Sequence, residues 1–255
     1  MVCDNAYGDI MEIYLDLENT LLNAQTKMNK EGLSLLKELS SNHPITILTT
    51  SPLASIPKEV CFEPIRIVST LENKMYQNGK EIYDSLKLRA VNKILKSSYL
   101  YTAYTIHQQT TYVIRYQERL KFFYPTSTIK SIPKLDFSIS FIVLVVAVEG
   151  ENMVLKTLKN CSLKVLAKDK NRVIFLVTST PSTKEAWLKK LKKSPAIGIG
   201  DSLEDYEFIQ HCEIQVAMQN GDQALLDLCP YHTAKSTDEN GALQFIQEYL
   251  KLQQV

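Results

Sequence analysis

The sequence predicts an α/β protein, with a parallel-sheet core in two pieces and an α+β module inserted between them. Three observations carry this. Near the start, "IYLD", "MNKEGLSLLKEL" and "ITILTT" follow one another. They give the strand–helix–strand order of a parallel pair. In the middle, strand-like segments adjoin without intervening helices, which suggests antiparallel pairing. From Lys184 onward the strand–helix alternation returns.

The elements follow in order. Ile13, Tyr14 and Leu15 are β-formers. Asp16 and Glu18 then follow, two carboxylates at the end of an apolar strand. A carboxylate there is costly unless it is paired, hydrogen-bonded or bound to a metal. A helix starting at Asn19 or Thr20 would also suit these acids, through its dipole. Met28–Leu39 carries Leu33, Leu36 and Leu39 at helical spacing, and the "SSNHP" cluster at 40–44 ends it. "ITILTTSP" is a second strand that ends in hydroxyls. Residues 85–97 read as a helix, and 101–107, 111–116 and 138–148 as strands. "NMVLKTLK" is a helix, followed by strands at 163–167 and 172–179. "WLKKLKK", "AIGIGD", "LEDYEFIQHC", "IQVAM" and "GALQFIQEYLKL" then alternate helix, strand, helix, strand, helix.

Bulk properties narrow the function. The 255 residues suffice for a real core. Lys+Arg 29 against Asp+Glu 28 leaves +1, with no global field to steer nucleic acid or an anionic membrane. The longest apolar run, Phe141–Val148, is too short to span a bilayer. The opening "MVCDNAYGDI" lacks a basic and apolar leader. Five scattered cysteines with no C-x-x-C read as reduced thiols, and four scattered histidines argue against zinc. The expectation is a cytoplasmic monomer or small homo-oligomer with no nucleic-acid or membrane partner.

Four pieces fall at strand ends: Asp16-Leu17-Glu18-Asn19-Thr20, Thr49, Lys184, and "GDSLED" with Asp201 and Asp205. In an open parallel sheet the carboxyl ends of the strands share one crevice. Several acids in one pocket repel each other, and a divalent cation with oxygen ligands, Mg²⁺, resolves the repulsion. A Thr hydroxyl and a Lys ammonium suit phosphate oxygens. The set reads as a metal-assisted phosphoryl-transfer site.

The same residues resemble the haloacid-dehalogenase-like superfamily, in its Cof-type branch. "DLENT" fits D-x-D-x-T with one change, "ITILT" fits the second motif, Lys184 stands at the third, and "GDSLED" fits G-D-x-x-x-D. "VAMQN" (216–220) and "STDENGALQFIQEYL" resemble the branch's ending. The resemblance implies a Rossmann-like catalytic core from 1–84 and 181–255, with an α+β cap over 85–180. It implies Asp16 as nucleophile, forming an aspartyl-phosphate. Thr49, Thr50 and Lys184 would hold phosphoryl oxygens. Mg²⁺ would sit among Asp16, the Glu18 carbonyl, Asp201 and Asp205. The Glu18 carboxyl would act as acid and base, and Asn220 would stand at the rim. The partner implied is a small phosphorylated metabolite.

The sequence departs from the pattern at Glu18, where the family has Asp. The extra methylene moves the carboxyl out by about 1.5 Å. Thr50 and Ser51 replace Gly and Arg, Glu204 replaces Asn, and Gln219 replaces Gly. The alternatives are a phosphatase for sugar phosphates, of the mannosyl-3-phosphoglycerate or sucrose-phosphate kind, and a non-catalytic phosphoryl-ligand binder. His107, Arg115 and Arg119 are candidates for substrate contact from the cap. Trp187 reads as core, and the Lys run at 189–193 as a solvated helix face.

Overall fold

The computed structural model describes residues 10–107, 110–117 and 128–253. In chain order the elements are β1 (Glu12–Asp16), α1 (Lys30–Asn42), β2 (Ile45–Thr49), β3 (Arg66–Ser69), β4 (Lys74–Gln77) and β5 (Lys80–Tyr83). Then come α2 (Leu88–Leu95), β6 (Leu100–His107), β7 (Thr110–Ile114), β8 (Ile129–Ser131), β9 (Phe141–Ala147), α3 (Glu151–Thr157), β10 (Ser162–Lys168) and β11 (Arg172–Thr178). The chain closes with α4 (Lys184–Leu191), β12 (Ala196–Gly200), α5 (Tyr206–Ile209), β13 (Ile214–Ala217), α6 (Gln223–Leu226), β14 (Tyr231–His232) and α7 (Gly241–Leu252).

The larger sheet runs β14-β13-β12-β1-β2-β3-β4-β5. From β14 to β3 all pairs are parallel, so their carboxyl ends lie on one side. β1 and β2 are buried at every residue, as fits a sheet covered on both faces. On one face Ile13, Leu15, Ile45 and Ile47 pack against α1 and α7 through Leu36, Leu39, Ile246 and Leu250. On the other, Tyr14 and Leu48 meet Trp187 and Leu188 of α4 and Phe208 of α5. Trp187 is thus core, while Lys189 and Lys190 of the same helix are exposed.

The insert forms a second sheet, β10-β11-β9-β6-β7-β8. Its pairs are antiparallel except β7–β8. One face carries Val91 and Ile94 of α2 and Val154 of α3. The opposite face, with Tyr104, Ile106, Phe141 and Leu176, packs on Leu71 from the larger sheet's side.

The structure corrects several sequence expectations. No helix starts at Asn19 or Thr20; residues 17–22 form a tight turn closed by a Glu18–Leu22 bridge. Leu22 N–H donates to the Leu17 carbonyl (2.8 Å), and Asn19 takes φ +55°, a conformation Asn tolerates. The "SSNHP" cluster at 40–44 ends α1 as expected, but at Asn42 rather than Leu39. Ser40 and Ser41 bond back to the Lys37 carbonyl and continue the helix to Asn42. "LEDYEFIQHC" is a 3₁₀ turn, Leu203–Asp205, plus the four-residue α5. β3, β4 and β5, which carry no assignment from the sequence, extend the sheet: β3 lies parallel to β2, and β4 and β5 follow in antiparallel fashion.

Candidate active site

The site is built at the carboxyl ends of β1, β2 and β12. Asp16 is the last residue of β1 and is buried. Its neighbour across the pair, Leu48, precedes Thr49, the last residue of β2. On the other side Leu15 pairs with Ile199, so Gly200 and Asp201 leave β12 beside Asp16. Lys184 comes from outside the sheet. Ser182 Oγ fastens its lead-in segment to the Thr70 carbonyl (2.6 Å), and Thr183 caps α4 by accepting Ala186 N–H (3.1 Å). The cap, one residue before Lys184, makes Lys184 the first residue of the helix and fixes where its side chain departs.

Lys184 Nζ lies 2.5 Å from Asp16 Oδ1 and 2.5 Å from Asp205 Oδ1. Asp205 is fully buried. Its second oxygen accepts from Asp201 N (3.2 Å), Ser202 N (3.0 Å) and Ser202 Oγ (2.9 Å), so its orientation is locked. Burial pushes the Asp16 carboxyl up to about 8; Lys184 opposes the shift and Asp205 adds to it. Burial, then the Asp205 charge, also pushes Asp201 up. Burial pulls the Lys184 ammonium down, but Asp16 and Asp205 outweigh it and raise its pKa.

Glu18 does not join this group. Its Oε2 accepts from Thr49 Oγ (2.9 Å) and its Oε1 from Ser51 Oγ (2.6 Å). Thr49 Oγ in turn accepts from Ser51 N–H (2.9 Å). The long arm carries the carboxyl across to the hydroxyls at the end of β2.

Carboxyl oxygens of Asp16, Asp201 and Asp205 all lie within 4.8 Å of one another. The Lys184 ammonium bridges two of these three carboxyls, and the Asp201 side chain receives a long contact from Thr20 Oγ (3.5 Å) and a hydrogen bond from Asn19. An all-oxygen set with excess negative charge fits a hard divalent cation such as Mg²⁺. Asp205 already gives both oxygens to protein donors, so Asp16 and Asp201 are the freer ligands.

The remaining expected residues fall as follows. Thr50 is exposed and Glu204 is exposed. Asn220 braces the turn after β1: its Nδ2 donates to the Asn19 carbonyl (3.0 Å), and its Oδ1 accepts from Thr237 N–H (3.0 Å). Arg115 Nη1 donates to the Ser97 and Leu100 carbonyls, both at 2.7 Å, within the insert. His107 lies tilted against Phe137 (ring centroids 5.1 Å apart), beside Tyr112. Arg119 lies outside the described residues. The sequence reading missed Ser51 and Ser202. Ser202 had a signal, the S-x-x-D spacing of a capping box, which the structure forms. Ser51 had none, because its partner is 33 positions away.

Beside the Ser51 loop lies a cavity of about 360 Å³, lined by Leu53, Ile56, Glu72, Lys74 and Ile106 among others. Lys74 is buried there, 3.0 Å from Glu81 and 3.4 Å from the Ile106 carbonyl of the insert. Glu72 accepts Leu53 N–H at 2.6 Å.

The geometry agrees with the comparisons. TM0651 from Thermotoga maritima has a similar structure, with TM-score 0.70 and 14% identity, over 94% of this chain and 97% of that one. BT1666 from Bacteroides thetaiotaomicron, described among phosphatases of the superfamily, matches with TM-score 0.66 and 16% identity, over 98% of each chain. The subclass IIB sugar phosphatase BT4131 matches with TM-score 0.61 and 17% identity, over 94% of this chain and 98% of that one. No curated protein matches the chain. The sequence profile of the haloacid dehalogenase-like hydrolases matches residues 13–246, nearly the whole chain, with Asp16, Lys184 and Asp205 inside it, and the chain belongs to that family.

Proposed function

We propose that this hydrolase is a Mg²⁺-dependent phosphatase acting on a small phosphorylated metabolite. The observation that carries the reading is the Asp16–Lys184–Asp205 bridge at the carboxyl end of the parallel sheet, beside Asp201. Mg²⁺ held by Asp16, Asp201, Asp205 and the Glu18 carbonyl would supply positive charge against the phosphoryl oxygens. Lys184 orients Asp16 and offsets charge on the phosphoryl group, and Thr49 donates to a phosphoryl oxygen. An Asp16 oxygen attacks phosphorus, the ester P–O bond breaks, and the leaving oxygen takes a proton from the Glu18 carboxyl. The Glu18 carboxylate then takes a proton from water. The water oxygen attacks phosphorus, and Asp16 leaves as a free carboxylate beside inorganic phosphate.

The insert, residues 85–180, acts as the cap over this crevice. The cavity beside Leu53 and Lys74, which the insert reaches through Ile106, suits the organic part of the substrate. Sugar phosphates are the first class to test, because BT4131 is a sugar phosphatase. The free thiols Cys61, Cys161, Cys212 and Cys229 suit a reducing, cytoplasmic compartment.

A screen of phosphorylated metabolites with Mg²⁺, with and without EDTA, read by phosphate release, tests the reading. Release that stops with EDTA supports it; release unchanged by EDTA removes the metal from it. The engagement of Glu18 with Thr49 and Ser51 favours a second reading, a protein that binds a phosphorylated ligand without turning it over. A silent wild type that becomes active on Glu18→Asp would establish that second reading.

A further inference from the structure

The hydroxyl pair at the end of β2 is the part of the site whose donors are already taken. A hydroxyl has one hydrogen to give. Thr49 gives its hydrogen to Glu18 Oε2, at 2.9 Å, and Ser51 gives its hydrogen to Glu18 Oε1, at 2.6 Å. Ser51 N–H is also occupied, by Thr49 Oγ at 2.9 Å. The three contacts form one closed arrangement around a single carboxylate.

We propose that Glu18 is a built-in occupant of the phosphate cradle, that an arriving phosphoryl group must displace it, and that Ser51 is the positioning residue that holds it there. The inference rests on Thr49 being the phosphoryl-binding hydroxyl of the proposed function. A phosphoryl oxygen needs the Thr49 hydrogen that Glu18 now holds. Two anions cannot share it, so occupancy by one excludes the other. Displacement frees the Glu18 carboxyl from the cradle at the moment a phosphate is present, which is when an acid is needed. When inorganic phosphate departs, the return of Glu18 refills the cradle and opposes rebinding of product.

The length of Glu is what makes this arrangement reachable. An aspartate at this position withdraws the carboxyl by about 1.5 Å. Contacts of 2.6 and 2.9 Å would then exceed hydrogen-bond reach. The substitution of Glu for the family's Asp and the presence of Ser51 are therefore one feature, an acid and its seat.

The test uses the full chain with Mg²⁺ and inorganic phosphate as the probe, measured by isothermal titration. Glu18→Asp keeps the charge and shortens the arm. It is expected to bind phosphate about tenfold more tightly, the scale of one charge-assisted hydrogen bond no longer competed for. Glu18→Gln keeps the length of the arm and removes the charge, which separates charge repulsion from occupancy. Phosphate binding that tightens in Glu18→Gln but not in Glu18→Asp overturns the proposal, since charge alone would explain it. Ser51→Ala should tighten phosphate binding in the wild-type background and fail to do so in the Glu18→Asp background. An equal effect in both backgrounds overturns the role of Ser51. Thr49→Val checks the underlying reading: phosphate binding that it leaves intact overturns the phosphate cradle itself, and with it the proposal. Binding that Thr49→Val abolishes, with equal affinities in wild type and Glu18→Asp, overturns the occupancy alone. No phosphate binding by any of these proteins overturns both.

Discussion

On one side of the crevice Asp16 and Asp205 close on the Lys184 ammonium, with Asp201 alongside; on the other, Glu18 rests against two neutral hydroxyls. The first arrangement is buried and holds one ammonium in contact with two carboxyl groups. Its side chains are 12% (Lys184), 6% (Asp16) and 1% (Asp205) exposed. Removing one partner there strands the others in a poor solvent. The second is partly buried and sets one carboxylate against two neutral donors. The difference teaches that one half of the site is built to stay and the other to exchange. Five expected outcomes test that division.

The largest effect falls on turnover. Asp16→Asn keeps the shape of the residue but cannot form an acyl-phosphate, so phosphate release should fall by about a thousandfold or more. Circular dichroism should remain that of the wild type. Activity above roughly a tenth of wild type would take the nucleophile away from Asp16.

The next effect is on stability. Lys184→Met leaves Asp16 and Asp205 buried without their counter-charge, and roughly 3–5 kcal/mol should be lost. Urea unfolding measures it. A loss below about 1 kcal/mol would mean the ammonium is exchangeable after all, and the two halves would no longer differ.

A cation and pH act on the same half. Mg²⁺ at ten times its Kd should stabilise the wild type by about 1.4 kcal/mol, seen as a rise in Tm of roughly 3–6 °C. Asp201→Ala should lose most of that rise; an equal rise in the variant would place the ion elsewhere. Without metal, the Asp16 carboxyl stands near 8 when folded, above its ordinary value of 3.8. A raised carboxyl contributes stability that is full below its unfolded pKa and is lost as pH rises toward the folded one. In EDTA, then, wild type should lose stability relative to Asp16→Asn between pH 5 and pH 8, values of about that size following from ordinary carboxylate behaviour. Parallel stability curves for the two proteins would remove the shift.

The smallest effect is Ser51→Ala. It removes one partly buried hydrogen bond, and the loss should be about 1 kcal/mol. A loss as large as that of Lys184→Met would show the hydroxyl half to be as structural as the charged half.

The sequence made the charged half legible because position alone placed it. Asp16 and Asp201 sit at or just past strand ends, and parallel pairing brings those ends together. Lys184 was legible as the opening of a helix. The hydroxyl half was not, since the Glu18–Ser51 bond depends on the reach of one side chain. The β4–β5 hairpin carries its own signal in the sequence. "QNGK" is an Asn-Gly turn, with φ +51° at Asn78 and +73° at Gly79, and Gln77 pairs with Lys80. The overlong α5 expectation has a different cause. The capping box at Ser202 fixes a 3₁₀ turn first, and tertiary packing of Phe208 and Ile209 leaves a single α-turn after it.

Gly200 shows how little clearance the site has. A methyl group there would stand 2.5 Å from Asp205 Cβ and 2.7 Å from its Oδ2. The strand end leaves no room for a Cβ beside the carboxylate, and the neighbour that would have to yield is the one bonded to Lys184 and Ser202. Gly200 is therefore part of the machine's fit, although it contributes no chemistry. Transplanting the acids and the lysine to another parallel sheet would reproduce the parts but not the tolerance between them. A Gly200→Ala protein is the economical way to see it, as a folded chain in which every reacting group is present and the lysine bridge is pushed out of true.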